Sequence, residues 1–230
     1  LDRPPAAYHL GFVLGPRVNA GGRIGQADLG ARLLSTDNPA EARALADRLE
    51  ELNRERRDVE AQVRAAALDQ AEARGLDAPL VWAAGDGWHP GVVGIVASRL
   101  KEAANRPAIV IGFDGEEGKG SGRSISGVDL GASIQKLAAE GLLIKGGGHK
   151  MAAGLTVARD QLDAAMARLS ELLDKQGAGA AGAADLRLDG LLMPGAATPE
   201  LIDQIDGAGP FGAGASAPRY VFSDMQISFA

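Results

Sequence analysis

The stretch Leu80-Val81-Trp82-Ala83-Ala84-Gly85-Asp86-Gly87-Trp88-His89-Pro90-Gly91 indicates the fold class, because a short apolar strand passes through a glycine-rich turn into a helix. The helix is predicted from Val92 to about Ala104. A second strand follows at residues 108–113, and its almost unbroken apolar run is typical of a parallel strand buried on both faces. This order predicts an α/β domain with a small mixed or parallel sheet flanked by helices.

The same pattern continues to about residue 176, so we place this domain at residues 76–176. The later elements are predicted, in chain order, as a polar loop at 114–124, a helix from Ser126 to about Glu140, a glycine-rich turn at Gly146–Lys150, a strand at 155–157 and a helix from Asp160 to Lys175. Ser126 is the predicted N-cap of the first of these helices, with Asp129 three residues further on.

A long helix precedes the domain, at residues 39–75. Asn38 suits the N-cap, Pro39 the first helical position, and Glu41 completes a capping box. At about 1.5 Å per residue this helix would span roughly 54 Å. Its apolar stripe is interrupted by Arg56, which favours a helix that connects two domains over a coiled-coil dimer, although a dimer stripe stays open as an alternative.

The flanking segments are shorter. Residues 1–38 are too few to bury a core and are predicted to be the C-terminal edge of another domain. Residues 177–184 are almost pure Gly and Ala, which predicts a linker. Residues 185–230 have β character near both ends, with a strand pattern in progress at 226–230. The start at Leu1 rather than Met suggests a fragment.

Composition excludes several classes of protein. The chain has no cysteine, which rules out disulfides and thiolate metal sites and fits a cytoplasmic protein. No apolar run reaches the length of a membrane span. The 30 acidic residues outnumber the 24 basic ones, so any nucleic-acid site has to be a local basic patch.

One anion site is predicted at the glycine-rich turn. Gly146, Gly147 and Gly148 leave the backbone amides bare, and His149 and Lys150 add a titratable donor and a fixed positive charge. A simple turn with two exposed side chains is the alternative, because glycine-rich turns are common.

A second donor set lies at residues 121–124. Ser121 and Ser124 offer hydroxyls, Gly122 an open amide, and Arg123 a guanidinium that can grip phosphate with two hydrogen bonds. Because both sets belong to one small sheet, we predict that they face one cleft. Arg17 and Arg23 would add a third group if the N-terminal segment folds back. The combination favours a site for a phosphate backbone.

Other chemistry has weaker support. Gly85-x-Gly87-x-x-x-Gly91 follows a strand, and Asp114 ends the next one, as in a dinucleotide-binding oxidoreductase domain. Against this, Trp88, His89 and Pro90 crowd the turn and the third spacing departs from the fingerprint. The three histidines are far apart in sequence, and no acidic cluster has metal-ligand spacing.

Three motifs resemble the RecJ family, single-strand-specific DNA exonucleases of the DHH superfamily. They are Gly87-Trp-His-Pro-Gly-Val-Val-Gly-Ile-Val-Ala-Ser-Arg99, Gly120-Ser-Gly-Arg-Ser-Ile125 and Gly146-Gly-Gly-His-Lys-Met-Ala-Ala-Gly154, which match the family's DHH-associated domain. Gly15–Gly25 resembles the end of the catalytic DHH domain, and Pro210-Phe-Gly-Ala-Gly214 the entrance to an OB-like domain. After Gly214 the family usually has an Asn, where this chain has Ala215.

The resemblance implies the C-terminal part of a 5′→3′ single-stranded DNA exonuclease of repair and recombination, with a partial OB-like domain after the α/β domain. The family uses two Mn²⁺ or Mg²⁺ ions, whose ligands belong to a domain that is not seen here, so no metal is expected in this chain. Ser121, Gly122 and Arg123, helped by Arg17 or Arg23, would hold the 5′ phosphate, and His149 would face the scissile phosphate. The substrate-binding set implied by the motifs also includes His89, Ser124, Gly146, Gly147, Gly148 and Lys150.

The same resemblance implies that the fragment alone binds DNA weakly and cuts nothing. Single-stranded DNA is the expected ligand, and single-strand DNA-binding protein is a candidate partner. A related DHH oligonucleotide phosphodiesterase is the alternative within the superfamily.

Overall fold

The computed structural model describes residues 6–180, 186–212, 214–223 and 225. These residues form two compact units, one of Arg17–Ala184 and the other of Leu1–Pro16 with Asp185–Ala230. None of the described helices is long and apolar enough to cross a membrane.

The larger unit is built on a five-stranded mixed sheet. Its strands are β1 (Val81–Asp86), β2 (Ala108–Asp114), β3 (Glu117–Arg123), β4 (Lys145–His149) and β5 (Ala152–Ala158), in the order β1-β2-β3-β5-β4. Only β1 and β2 run parallel, and every other neighbouring pair is antiparallel. The predicted α/β class, a mixed sheet flanked by helices, is confirmed.

Two segments predicted as a loop and a turn are strands. The supposed polar loop at 114–124 contains β3, in which Gly118, Gly120 and Gly122 alternate with polar residues. A Cβ atom at Gly122 would lie 2.5 Å from Ile109 Cδ1 and 2.7 Å from Leu130 Cδ2. The glycines therefore form the inner face of the strand, where larger residues do not fit. The supposed turn at Gly146–Lys150 is mostly β4, and the turn itself lies at Lys150–Met151.

Three short helices come first, α1 (Gly15–Val18), α2 (Ala20–Ile24) and α3 (Leu29–Ser35), and the last two of them pack against α4 (Pro39–Arg74). The faces of the sheet are covered by α4 together with α5 (Pro90–Ala104), α6 (Leu130–Ala139) and α7 (Leu162–Asp174), and 3₁₀ turns lie at Arg159–Gln161 and Ala178–Ala180. The predicted cap of α6 at Ser126 was wrong, because the Asp129 side chain accepts a hydrogen bond from the Ala132 N–H (3.0 Å). Between Ser126 and Asp129 the chain makes a turn, in which Gly127 has a φ of 88°.

The long helix α4 is confirmed, with Asn38 as its cap. The Asn38 side chain accepts from the N–H groups of Ala40 and Glu41 at 3.0 and 3.4 Å. The predicted capping box does not form. The Glu41 carboxylate instead accepts from Thr36 Oγ1 (2.7 Å) and Arg32 Nη2 (3.0 Å), which ties α3 to the start of α4.

The apolar stripe of α4 is covered within the same unit. Its first half, through Leu49, packs in a cluster with Ala20 and Leu29 of the short helices, and its second half, through Ala67, packs in a cluster with α5 and β1. Arg56 is buried at the midpoint, where it pairs with Glu60 and donates to Asn53. The helix thus joins two apolar clusters, and its stripe does not need a second copy of the chain.

The two faces of the sheet are covered unequally. On one face α6 and α7 close a core that extends from β1 to β5. On the other face α4 and α5 cover β1 and β2, and α5 borders β3. The described helices that pack extensively on β4 and β5 are α6 and α7, both on the first face. The opposite face of β5 and β4 is therefore left without a packed helix in this unit, together with the part of β3 that α5 does not cover, and we call this surface the open face.

The smaller unit holds a π-helix (His9–Leu14), a 3₁₀ turn (Pro194–Ala196), α8 (Pro199–Gly207) and a pair of two-residue parallel strands, β6 (Gly190–Leu191) and β7 (Tyr220–Val221). Strand β7 falls where β character was expected at 220–222, whereas residues 186–189, the other expected position, are not a strand and β6 begins just after them. The OB-like identity stays a prediction, and the strand predicted at 226–230 lies outside the described residues.

Candidate nucleic-acid interface

The open face carries polar side chains in register across three strands. Arg123 pairs with Ala152, which pairs with His149, and one step along the strands Ser121, Gly154 and Gly147 form a second row. Residues paired in this way point to the same face, and residues two apart along a strand share that face. Since strands lie about 4.8 Å apart, Arg123 and His149 stand roughly 10 Å apart on one surface. The sequence prediction of a shared cleft thus corresponds to a shared sheet face.

Arg123 is the best-organised cation on this face. Its Nη1 donates to Ser121 Oγ (2.9 Å) and to the Gly122 carbonyl (2.8 Å). Partial burial, and after it the charge of nearby Arg23, lower the pKa of the Arg123 guanidinium, which nonetheless stays charged at neutral pH. A half-desolvated guanidinium beside a second cation and a hydroxyl favours a doubly charged anion such as a terminal phosphate.

Helix α5 brings Arg23 to this place. A Cβ atom at Gly91 would lie 2.1 Å from the Arg23 carbonyl oxygen, so α2 can pack this closely on α5 only because residue 91 is a glycine. Arg23 Nη1 in turn donates to the Gly91 carbonyl at 3.3 Å. Of the two arginines predicted from the N-terminal segment, Arg23 therefore lies near Arg123. Arg17 instead pairs with Glu50 of α4.

The three consecutive glycines have different roles. A Cβ atom at Gly146 would meet Ile134 Cγ2 at 2.6 Å, and one at Gly148 would meet the Ala152 carbonyl oxygen at 2.4 Å. Both positions are needed for packing. A Cβ atom at Gly147 would meet nothing within 4 Å, because this residue faces the open side. Only Gly147 therefore leaves the surface bare for a ligand.

His149 and Lys150 lie at the end of β4, and both are exposed. Nδ1 of His149 accepts from the Met151 N–H at 3.3 Å, which leaves Nε2 directed away from that turn. The Lys150 carbonyl accepts from the Leu130 N–H (3.1 Å), so this backbone also holds the start of α6. His149 shares the open face with Arg123 by register.

Two predicted residues are used elsewhere. Ser124 is 1% exposed and its hydroxyl donates to the Val128 carbonyl at 2.8 Å, so it stabilises the turn before α6 and does not reach the open face. His89 caps α5, because its Nδ1 accepts from the Gly91 N–H at 3.0 Å. Its ring therefore fixes the start of α5.

The open face has a third row of polar residues, which the sequence analysis did not predict. Lys119, Thr156 and Lys145 are in register, two residues along the strands from Ser121 and Gly147. They line a depression of about 430 Å³ together with Gly147 and Gly154. The alternation Gly118-Lys-Gly-Ser-Gly-Arg123 could have revealed this row, since its period of two is that of a strand.

Two glycines of the dinucleotide motif, Gly85 and Gly91, serve packing, whereas Gly87 serves the turn with a φ of 70°. A Cβ atom at Gly85 would lie 2.2 Å from Trp88 Cε2, and one at Gly112 would lie 2.0 Å from the Trp88 carbonyl oxygen. Trp88 thus fills the space directly over Gly85 and Gly112, beside a depression of about 570 Å³ that Asp114 helps to line. A pyrophosphate could not approach the backbone at these two glycines, which removes the main support for a dinucleotide site.

Within the described ranges, no group of three histidine or carboxylate side chains is arranged to hold a metal ion. The donor sets that the structure shows therefore do not fit Mn²⁺ or Mg²⁺, and no metal-dependent step can be assigned to them.

Comparison with known proteins defines the class. The family model described as "DHHA1 domain" matches residues 77–175, which contain all five strands of the sheet. The chain is 43% identical over 167 residues to the single-stranded-DNA-specific exonuclease RecJ of Bacillus subtilis, and 39% identical over 214 residues to that of Escherichia coli. These alignments take in 72% and 90% of this chain but 21% and 37% of the relatives.

Solved structures agree with the sequence relatives. A crystal structure of Thermus thermophilus RecJ in complex with Mn²⁺ matches 94% of this chain and 32% of its own, with a TM-score of 0.80 and 31% identity. The chain belongs to the RecJ family, of which it carries the DHHA1 portion, and the predicted resemblance is confirmed.

Proposed function

We propose that this chain is the DNA-holding part of a RecJ-like 5′→3′ single-stranded DNA exonuclease of repair and recombination. The observation that carries the proposal is the convergence of Arg123, Ser121 and Arg23 at one corner of an otherwise bare sheet face. The relatives are named as exonucleases specific for single-stranded DNA, which supplies the class of ligand.

The geometry suits a terminal phosphate. A 5′ phosphate carries more negative charge than an internal phosphodiester and offers three oxygens. Arg123 supplies a guanidinium and Ser121 a hydroxyl, while Arg23 adds charge from the side of α5. A strand anchored in this way would run over Gly147 and Gly154, where no side chain blocks the surface. His149 would donate to a phosphate further along the strand.

Hydrolysis is assigned to residues other than those described. Thermus RecJ has been solved with Mn²⁺ and with Mg²⁺, and ions of this kind supply an activated water and clamp phosphoryl oxygens. The part played by this chain is to bind and orient the strand. Docking of a single-strand DNA-binding protein and a cytoplasmic location both remain predictions.

Binding to end-labelled oligonucleotides tests the proposal. Fluorescence anisotropy should show tighter binding to a 5′-phosphorylated single strand than to the same strand with a 5′ hydroxyl. Equal affinities for the two ends would contradict it. In a second assay a clean preparation of this chain with Mn²⁺ should leave the strand intact, and robust metal-dependent cleavage would show that catalysis resides here.

A further inference from the structure

The third row of the open face has the features of a built anion site. Thr156 lies between Lys119 and Lys145 in register, and it is only 4% exposed. Its hydroxyl makes no hydrogen bond to any residue that the structure describes. The Thr156 oxygen is not among the buried polar atoms that lack a partner, so it still reaches solvent and is open to a ligand that enters the depression.

The two lysines take part in none of the ion pairs among the described residues. Every ion pair found within the described residues is made by an arginine, and neither Lys119 nor Lys145 takes part in one. Both side chains are exposed on either side of the depression. In a chain of net charge −6, two ammonium groups on either side of one threonine hydroxyl are a local concentration of groups that can donate hydrogen bonds to an anion.

We propose that Lys119, Thr156 and Lys145 form a second phosphate subsite, which binds an internal phosphodiester of the same strand whose 5′ end lies at Arg123. The inference rests on the proposed function and deepens it. Four residues of extended strand separate the rows of Arg123 and Lys119, about 13 Å, so the two subsites hold different phosphates. The face between them is continuous, because Ser121, Gly154 and Gly147 leave it almost bare.

The test uses 5′-phosphorylated oligonucleotides that carry one neutral methylphosphonate, moved from linkage to linkage. The native chain should lose about tenfold in affinity when the contacted linkage is neutral, as expected for a charge-assisted hydrogen bond. Lys119→Gln and Lys145→Gln should each bind the unmodified strand about tenfold more weakly and lose less than the native chain at that linkage, and the double variant should lose nothing more there. The double variant should lower the salt slope by about 0.7, the value for one phosphate contact on a single strand. Lys136→Gln, on α6 beneath the other face, is the matched control.

Thr156→Val separates binding from folding. If the hydroxyl serves the ligand, this variant should keep or raise the melting temperature while it weakens binding of the unmodified strand. A marked loss of stability would show that the hydroxyl serves the fold and would overturn its assignment.

Two other results would overturn the subsite. The first is that the lysine variants lose as much affinity as the native chain when the methylphosphonate is placed at each linkage in turn. The other is an acidic peptide that competes through these lysines as well as DNA does, which would assign the row to protein carboxylates. Failure of the proposed function looks different, because the native chain would then not distinguish 5′ phosphate from 5′ hydroxyl, and Arg123→Ala would have no effect.

Discussion

Gly94 of helix α5 lies directly against Arg123 of strand β3. A Cβ atom at Gly94 would come within 3.1 Å of both Arg123 Nη2 and Ser121 Oγ. The absence of a side chain at one helical position therefore determines where the guanidinium rests.

Gly94→Ala should separate stability from binding. The contacted atoms are the ends of flexible side chains, so they can shift, while alanine favours the helix by about 0.5–1 kcal/mol. We expect a higher melting temperature together with weaker binding of 5′-phosphorylated strands. Thermal unfolding and anisotropy on the same preparation check this, and a lower melting temperature would mean that the backbone of α5 has moved instead.

Arg123→Ala should weaken binding of 5′-phosphorylated strands by about tenfold or more, as expected for loss of a charge-assisted hydrogen bond. Binding of 5′-hydroxyl strands should fall much less, and the difference should shrink as salt rises. Arg99→Ala, which removes an exposed arginine of α5 paired with Glu102, is the control. Equal losses for both kinds of strand would remove Arg123 from a 5′-phosphate role.

Gly146→Val and Gly147→Val should give opposite results although the positions are adjacent. At Gly146 the added atoms would collide with Ile134, and overpacking of this kind costs about 1–3 kcal/mol. At Gly147 they would stand in open space, so the fold should persist while the strand loses its bare surface. Urea unfolding and strand binding measure the two effects. Similar destabilisation by both variants would contradict the assignment of faces.

The Glu140–Arg168 pair should make stability depend on pH. Arg168 donates to both carboxylate oxygens of Glu140, at 2.8 and 2.9 Å, and these hydrogen bonds lower the Glu140 pKa. A carboxyl whose pKa is lowered in the folded state stabilises the fold above its ordinary pKa, and that contribution is lost as pH falls through the folded value. Glu140→Gln should therefore melt below the native chain at pH 7, and the gap should close towards pH values under the usual glutamate range. A gap that stays constant down to strongly acidic pH would contradict this.

The elements that the sequence predicted well are those governed by local signals. Helix α4 begins at a cap and, after Pro39 in its first position, runs without Gly or Pro to Gly75, and β2 is an apolar run of strand length. Strand β3 was missed because its glycines suggested a loop, whereas they face Ile111 and Phe113 across the sheet. Glycine has this role only when a neighbouring strand fills the space, which a local pattern does not show.

The site was predictable in its residue types and less so in its geometry. Arg123 and Ser121 were found as a pair, and the structure joins them by a hydrogen bond. The packing of α2 on α5 decides that Arg23, and not Arg17, approaches Arg123. A single turn, in which the Ser124 hydroxyl donates to the Val128 carbonyl, decides that Ser124 is buried. Thr156 gave no signal, because its significance comes from two lysines on different strands.

The placement of Trp88 gives the protein its own optical reporter. The chain has two tryptophans, and Trp82 lies under the Arg74 guanidinium, 4.0 Å from the ring centroid, on the side of β1 that faces α6 and α7. Trp88 lies on the opposite side, over Gly85 and Gly112, in the same transverse row as Lys119. In a Trp82→Phe chain the remaining emission would come from the border of the open face. Occupancy of that face could then be followed by intrinsic fluorescence, without a label on either the protein or the strand.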